Sequence, residues 1–74
     1  MLITKLPKES RNFRKHTSGE ASYSVAVLDN EKIFQIQTYG SPERQSKGVV
    51  SQVIQFDKQQ AIELIAILQQ EFNL

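Results

Sequence analysis

Residues 32–72, KIFQIQTYGSPERQSKGVVSQVIQFDKQQAIELIAILQQEF, decide the fold, because the spacing of their apolar residues changes partway along. From Ile33 to Tyr39 the side chains alternate. Phe34, Ile36 and Thr38 face inward, while Gln35, Gln37 and Tyr39 face out, the period-two pattern of a half-buried strand. A polar connection follows over 40–48. From 49 to 56 the alternation resumes, with Val50, Gln52, Ile54 and Phe56 on one face and Ser51, Val53 and Gln55 on the other. Beyond Asp57 the period lengthens. Ala61, Leu64, Ile65, Leu68 and Phe72 recur at i, i+3, i+4, i+7 and i+11, which draws one apolar stripe down a helix.

The switch point carries its own signal. The Asp57 carboxylate can accept from an unpaired N–H of the first helical turn. Gln60, three residues on, can return a bond to the Asp57 backbone and complete a capping box. No Gly or Pro interrupts 58–71, and Ala, Leu, Gln and Glu are good helix formers.

Working outward, Ser22 to Leu28 alternates with Tyr23, Val25 and Val27 on one face and Ser22, Ser24 and Ala26 on the other. Residues 29–32, Asp-Asn-Glu-Lys, form a tight reversal into the next strand. Leu2 to Leu6 reads as a short edge strand ended by Pro7, which has no N–H to give a ladder. Residues 8–20 are polar and basic around a single aromatic, Phe13, and read as an irregular arm.

The expected architecture is α+β. An antiparallel meander of three or four strands is covered on one face by a C-terminal amphipathic helix. The 74 residues make one domain, with a basic N-terminal arm over 1–20, the sheet over 21–56 and the helix over 57–74. Five core side chains on one helix contribute roughly 8–15 kcal/mol of gross burial. With no Cys to staple it, such a small chain needs another source of stability. Homodimerisation is the simplest, and Ile62 and Ile67, off the main stripe, supply a second apolar face for it.

Net charge is only +1, but its distribution is uneven. The first 20 residues carry five Lys/Arg against two Glu, and the remainder carries four against six. The absence of Cys excludes disulfides and thiolate metal sites and suits a reducing cytoplasm. Residues 1–7 lack the apolar run of a signal peptide, and no stretch is long enough to span a membrane.

These residues give no basis for an enzyme. The single His16 lies in the basic arm with no carboxylate partner in view, and the carboxylates are scattered over turns and the helix. No catalytic residue, metal ligand set or cofactor motif is expected. Nucleic-acid binding is the sharper expectation, since single-strand binders join phosphate-tracking cations to aromatic faces. Arg11, Arg14 and Lys15 surround Phe13, while Arg44 and Lys47 sit in the connection after Tyr39. Gln35, Gln37 and Gln55 offer amides to base edges or phosphate oxygens. The alternative is a protein-interaction module or accessory subunit docking through an unpaired sheet edge and the Ile62/Ile67 face.

The run Phe34-Gln35-Ile36-Gln37-Thr38-Tyr39, the connection ending Lys47-Gly48-Val49, and the strand leading to a capped helix together resemble the positive cofactor four family of transcriptional coactivators. The resemblance covers about half the chain. It implies a dimer formed through the helix and single-strand binding on curved sheet surfaces. It places Gln37, Tyr39, Arg44 and Lys47 where family members carry basic and aromatic contact residues. Gln37 stands where the family tends to have Arg, the strand to Phe56 is longer, and no Trp opens the helix. A looser similarity, in Asn12-Phe13-Arg14-Lys15-His16 and Gln37-Thr38-Tyr39-Gly40-Ser41, is to very short bacterial proteins labelled methionyl-tRNA formyltransferase. Formyl transfer needs both a folate pocket and a tRNA surface, and 74 residues hold no room for the two.

Overall fold

In the computed structural model, residues 1–39 and 50–74 are described. Three strands, β1 (Ala21–Leu28), β2 (Glu31–Tyr39) and β3 (Val50–Phe56), precede one helix, α1 (Lys58–Phe72). The sheet is antiparallel in the order β1-β2-β3. The α+β expectation therefore holds at the level of strands and helix. Arg44, Lys47 and Val49 lie outside the described residues.

The first hairpin turns on Asp29 and Asn30 alone, with φ of 51° and 62°, and Leu28 pairs directly with Glu31. Two residues at positive φ give a type I′ turn, whose twist matches that of the strands. Asp and Asn reach this region at lower cost than most side chains. The turn fixes the register, so Ser22 faces Gln37, Ser24 faces Gln35, and Val25 faces Phe34. Across β2 and β3, Phe34 meets Phe56 and Ile36 meets Ile54. The alternation read from the sequence thus sorts into a mainly apolar face, which also carries Thr38 and Gln52, and an amide-and-hydroxyl face, which also carries Ile33 and Val53. On the apolar face Tyr23 and Phe34 stack, with ring centroids 5.2 Å apart.

One register shift interrupts β2 and β3. Thr38 pairs with Gln52 but Tyr39 with Val50, which leaves Ser51 as the extra residue of a bulge. Ser51 was expected on the amide face. Its hydroxyl instead lies 3.2 Å from Thr38 Oγ1, because the bulge takes it out of the alternation.

The free edge of β3 is taken by the N-terminus. Ile3 N–H donates to Gln55 O and Gln55 N–H to Met1 O, which makes a parallel bridge at Leu2. The expected edge strand is this single bridge. Beyond it the chain crosses to the helix. Gln60 Nε2 donates to Thr4 O at 2.8 Å, and Lys8 Nζ pairs with Glu71 Oε1 at 3.1 Å. Residues 1–8 are therefore a strap joining sheet edge to helix, not part of a free arm.

At the start of the helix, Asp57 Oδ1 accepts from Gln60 N–H at 2.9 Å, as its position in the sequence suggests. The Gln60 side chain does not complete the capping box. It is spent on Thr4 and is 7% exposed, its Oε1 buried without a hydrogen bond among the described residues. At the far end Asn73 adopts the left-handed region, with its N–H on Gln69 O.

The helix was expected to cover the inner sheet face with Ala61, Leu64, Ile65, Leu68 and Phe72. Its main contact with the sheet is β3, and Tyr23, Val25 and Val27 of β1 stay exposed. Only Asp57 separates β3 from α1, so there is no loop with which to lay the helix across all three strands. The covered helical positions are Gln60, Ala61, Leu64 and Ile67, a stripe rotated toward the strap. Ile65 is 56% and Phe72 69% exposed, with Ile62 and Leu68 exposed beside them. Among the described residues, Ile33 and Phe56 are the only buried hydrophobic side chains.

Candidate nucleic-acid interface

The polar face of the sheet is built by register. The Asp29–Asn30 turn sets Ser22 and Ser24 of β1 opposite Gln37 and Gln35 of β2, and β3 adds Gln55 opposite Gln35. Side chains facing each other across antiparallel strands lie close enough to bond directly. Gln55 Nε2 donates to Gln35 Oε1 at 2.9 Å, and Gln35 Nε2 donates to Gln37 Oε1 at 2.8 Å. Gln37 Nε2 donates to Ser22 Oγ at 2.7 Å, and Ser22 Oγ lies 2.7 Å from the Tyr39 hydroxyl. Ser24 Oγ donates to Gln37 Oε1 from the side at 2.9 Å.

The result is a continuous chain of uncharged hydrogen bonds across three strands. It changes the role expected of the amides. Gln37 Oε1 holds two donors and its Nε2 holds an acceptor, so the side chain is locked and retains a single N–H for anything else. Gln35 likewise keeps one N–H. The face presents a fixed array, not three freely rotating amides.

Tyr39 ends this chain. Its backbone N–H donates to Glu20 O at 3.3 Å, which continues the β1–β2 ladder one pair further and ties the end of the arm beside it. Arm and tyrosine together enclose an open cleft of about 550 Å³, lined by Arg14, Lys15, His16, Thr17, Ser18, Gly19 and Tyr39. Gly19 has open space where a Cβ would stand, so the cleft wall does not depend on it being glycine.

Of the residues expected to contact nucleic acid, Arg14, Lys15 and Tyr39 converge on this cleft, and Gln35 and Gln37 reach it through the hydrogen-bonded chain. Arg11 does not join them; its guanidinium pairs with Glu9 at 3.0 Å. Phe13 stands 91% exposed on the arm. Arg44 and Lys47 fall outside the described residues. The two isoleucines assigned to an interface separate as well. Ile62 is exposed, whereas Ile67 is half-buried and shares a second cavity of about 530 Å³ with Leu6, Pro7, Lys8 and Glu63.

Ser22 and Ser24 were absent from the expected site. The signal lay in the turn: a two-residue Asp29–Asn30 reversal forces the pairing of Ser22 with Gln37 and of Ser24 with Gln35. Among the described residues no group of three or more His, Cys, Asp or Glu is placed to hold a metal ion. No described helix is long and apolar enough to cross a membrane. Comparison with known proteins brings no match to a family model, to a curated protein or to a solved structure.

Proposed function

We propose that this chain is a small non-enzymatic nucleic-acid-binding protein that prefers single-stranded DNA or RNA and works as a cytoplasmic homodimer. One observation carries the reading: the cleft that joins Arg14, Lys15 and His16 to Tyr39 at the end of the amide face. Single strands are held by cations along the backbone and by aromatic and polar surfaces under the bases, and both lie here on one side of the sheet. The resemblance to the positive cofactor four family points the same way, with Tyr39 and Gln37 as the contacts on the sheet.

The dimer rests on what the protomer leaves uncovered. Ile62, Ile65, Leu68 and Phe72 form an exposed apolar strip on α1, and Tyr23, Val25 and Val27 are exposed on β1. A chain with so few buried apolar side chains gains most by covering them with a second copy. Fluorescence anisotropy with labelled single- and double-stranded oligonucleotides over a salt series tests the function. Salt-sensitive binding that favours single strands is the expected outcome; no binding at low salt and micromolar protein would refute it.

The same exposed apolar surfaces favour one other reading, an accessory subunit that docks on a larger partner. Sedimentation separates the two. A stable monomer that binds no oligonucleotide supports the accessory subunit, and a tight dimer opposes it.

A further inference from the structure

We propose that the cleft between the arm and Tyr39 is a phosphate seat, in which the Tyr39 hydroxyl donates to the phosphate while it accepts from Ser22 at the end of the hydrogen-bonded chain behind it. The inference rests on the nucleic-acid reading and names the group that this part of the site takes.

The argument begins with proton bookkeeping. Three links of the chain have a defined sense, Gln55 N–H to Gln35, Gln35 N–H to Gln37 and Gln37 N–H to Ser22, and the fourth, between Ser22 and Tyr39, can run either way. Ser22 Oγ is thereby an acceptor from Gln37 and still carries one proton of its own. The Tyr39 hydroxyl lies 2.7 Å away, and either oxygen can donate to the other, since Ser22 Oγ keeps a second lone pair. A phosphate oxygen in the cleft only accepts, so it selects the sense in which Ser22 donates to Tyr39 and the phenolic proton goes to the ligand. A hydroxyl that accepts one hydrogen bond becomes a better donor of the next, because successive bonds polarise one another. With such an acceptor in place the relay presents a polarised O–H to the cleft, although none of its five members is charged.

The walls opposite have the matching chemistry. Arg14 and Lys15 line the cleft, and neither forms an ion pair with a carboxylate among the described residues, whereas Lys8 and Arg11 do. Two cations and a tyrosine hydroxyl in one open cleft suit a group of concentrated negative charge and oxygen acceptors. A phosphate is that group. The cleft is also lined by Thr17 and Ser18, which add hydroxyls and no negative charge. A base stacked flat on Tyr39 would make no use of the relay, and a bare electrostatic patch would not need a tyrosine.

The phosphate has two sources in a nucleic acid, a terminal phosphomonoester or an internal phosphodiester, and both offer the same acceptor oxygens. The experiment compares wild-type protein with Tyr39→Phe by anisotropy. The ligands are three oligothymidylates of equal length: one with a 5′-phosphate, one with a 5′-hydroxyl, and one with methylphosphonate linkages in its interior. Tyr39→Phe keeps the ring and removes only the hydroxyl. It should weaken binding about five- to tenfold, the scale of one hydrogen bond to a charged group at a partly exposed site. The salt slope should not change, because no cation is lost. Arg14→Gln, in contrast, should lower the slope by about 0.7.

Ser22 acts here as a positioning residue, and a double-mutant cycle isolates that role. Ser22→Ala should weaken wild-type protein but cost nothing further in the Tyr39→Phe background. Dependence on the 5′-phosphate would assign the seat to strand ends, and sensitivity to internal methylphosphonates would assign it to the backbone. Tyr39→Phe binding all three ligands as wild type does would overturn the seat while leaving the nucleic-acid reading standing. Wild-type protein that binds none of them overturns both.

Discussion

Replacing Ile65 by Glu separates a protomer that is complete by itself from one that is half of an assembly. Ile65 is 56% exposed on α1, flanked by exposed Ile62, Leu68 and Phe72. On a free surface such a change moves stability by no more than about 0.5 kcal/mol. If the strip is instead buried against a second copy, each protomer loses the burial of the exposed half of an isoleucine, about 1–1.5 kcal/mol. A two-fold interface counts every substitution twice, so the loss becomes about 2–3 kcal/mol. That raises the dimer Kd roughly 30- to 150-fold. The new carboxylates add to the loss wherever they are desolvated. Sedimentation equilibrium over a range of loading concentrations reads the Kd, and far-ultraviolet circular dichroism confirms that the helix survives. Ile67→Glu is the companion variant. Ile67 is half-buried and shares a cavity with Leu6 and Pro7, so its replacement should lower the stability of the protomer itself. Wild-type protein that is monomeric at tens of micromolar, or an Ile65→Glu variant that associates as wild type does, would refute the argument.

Three further outcomes follow from the geometry. Arg14→Ala and Lys15→Ala should each lower the salt slope for single strands by up to about 0.7, whereas Arg11→Ala, whose side chain is engaged by Glu9, should have a smaller effect; equal slopes for all three would remove the cleft as the point of contact. Asp57→Ala should cost about 1 kcal/mol and lower Tm by about 4–8 °C in a domain of this size, while Asp57→Asn retains most of the cap; a Tm unchanged by Ala would show that the cap contributes nothing. Gln60→Met should change stability by less than about 1 kcal/mol, because it loses the bond to Thr4 and also removes a buried acceptor with no partner; a loss of several kcal/mol in chemical denaturation would mean that Gln60 Oε1 is satisfied in solution.

The sequence carried the strands and the helix because their signals are local. Period-two alternation in Phe34-Gln35-Ile36-Gln37 and the Asp57 cap involve neighbours a few residues apart, and both are where they should be. The strap was illegible for the opposite reason. The bonds from Thr4 to Gln60 and from Lys8 to Glu71 span 56 and 63 residues, and nothing local in the first eight residues points to a helix at the other end of the chain. That same strap explains why only part of the expected apolar stripe, Ala61 and Leu64, is covered. Periodicity gives a face but not what lies against it, and with Leu64 and Ile67 on the side nearer the strap, Ile65, Leu68 and Phe72 turn outward.

The candidate site divides along the same line. Arg14, Lys15 and Tyr39 were legible as residue types, but their meeting depends on the ladder bond that ties Glu20 to Tyr39 after the hairpin has returned. The Asp29–Asn30 turn is thus the link between fold and function. Shifting its register by one residue would turn Ser22 to the opposite face from Gln37. It would break the relay at the link before Tyr39 and also unpair Glu20 from Tyr39, which shifts Arg14 and Lys15 relative to the tyrosine. A turn variant that lengthens the hairpin should therefore lose the contribution of the Tyr39 hydroxyl and lower the salt slope together, and a variant that binds single strands as wild type does would refute the link.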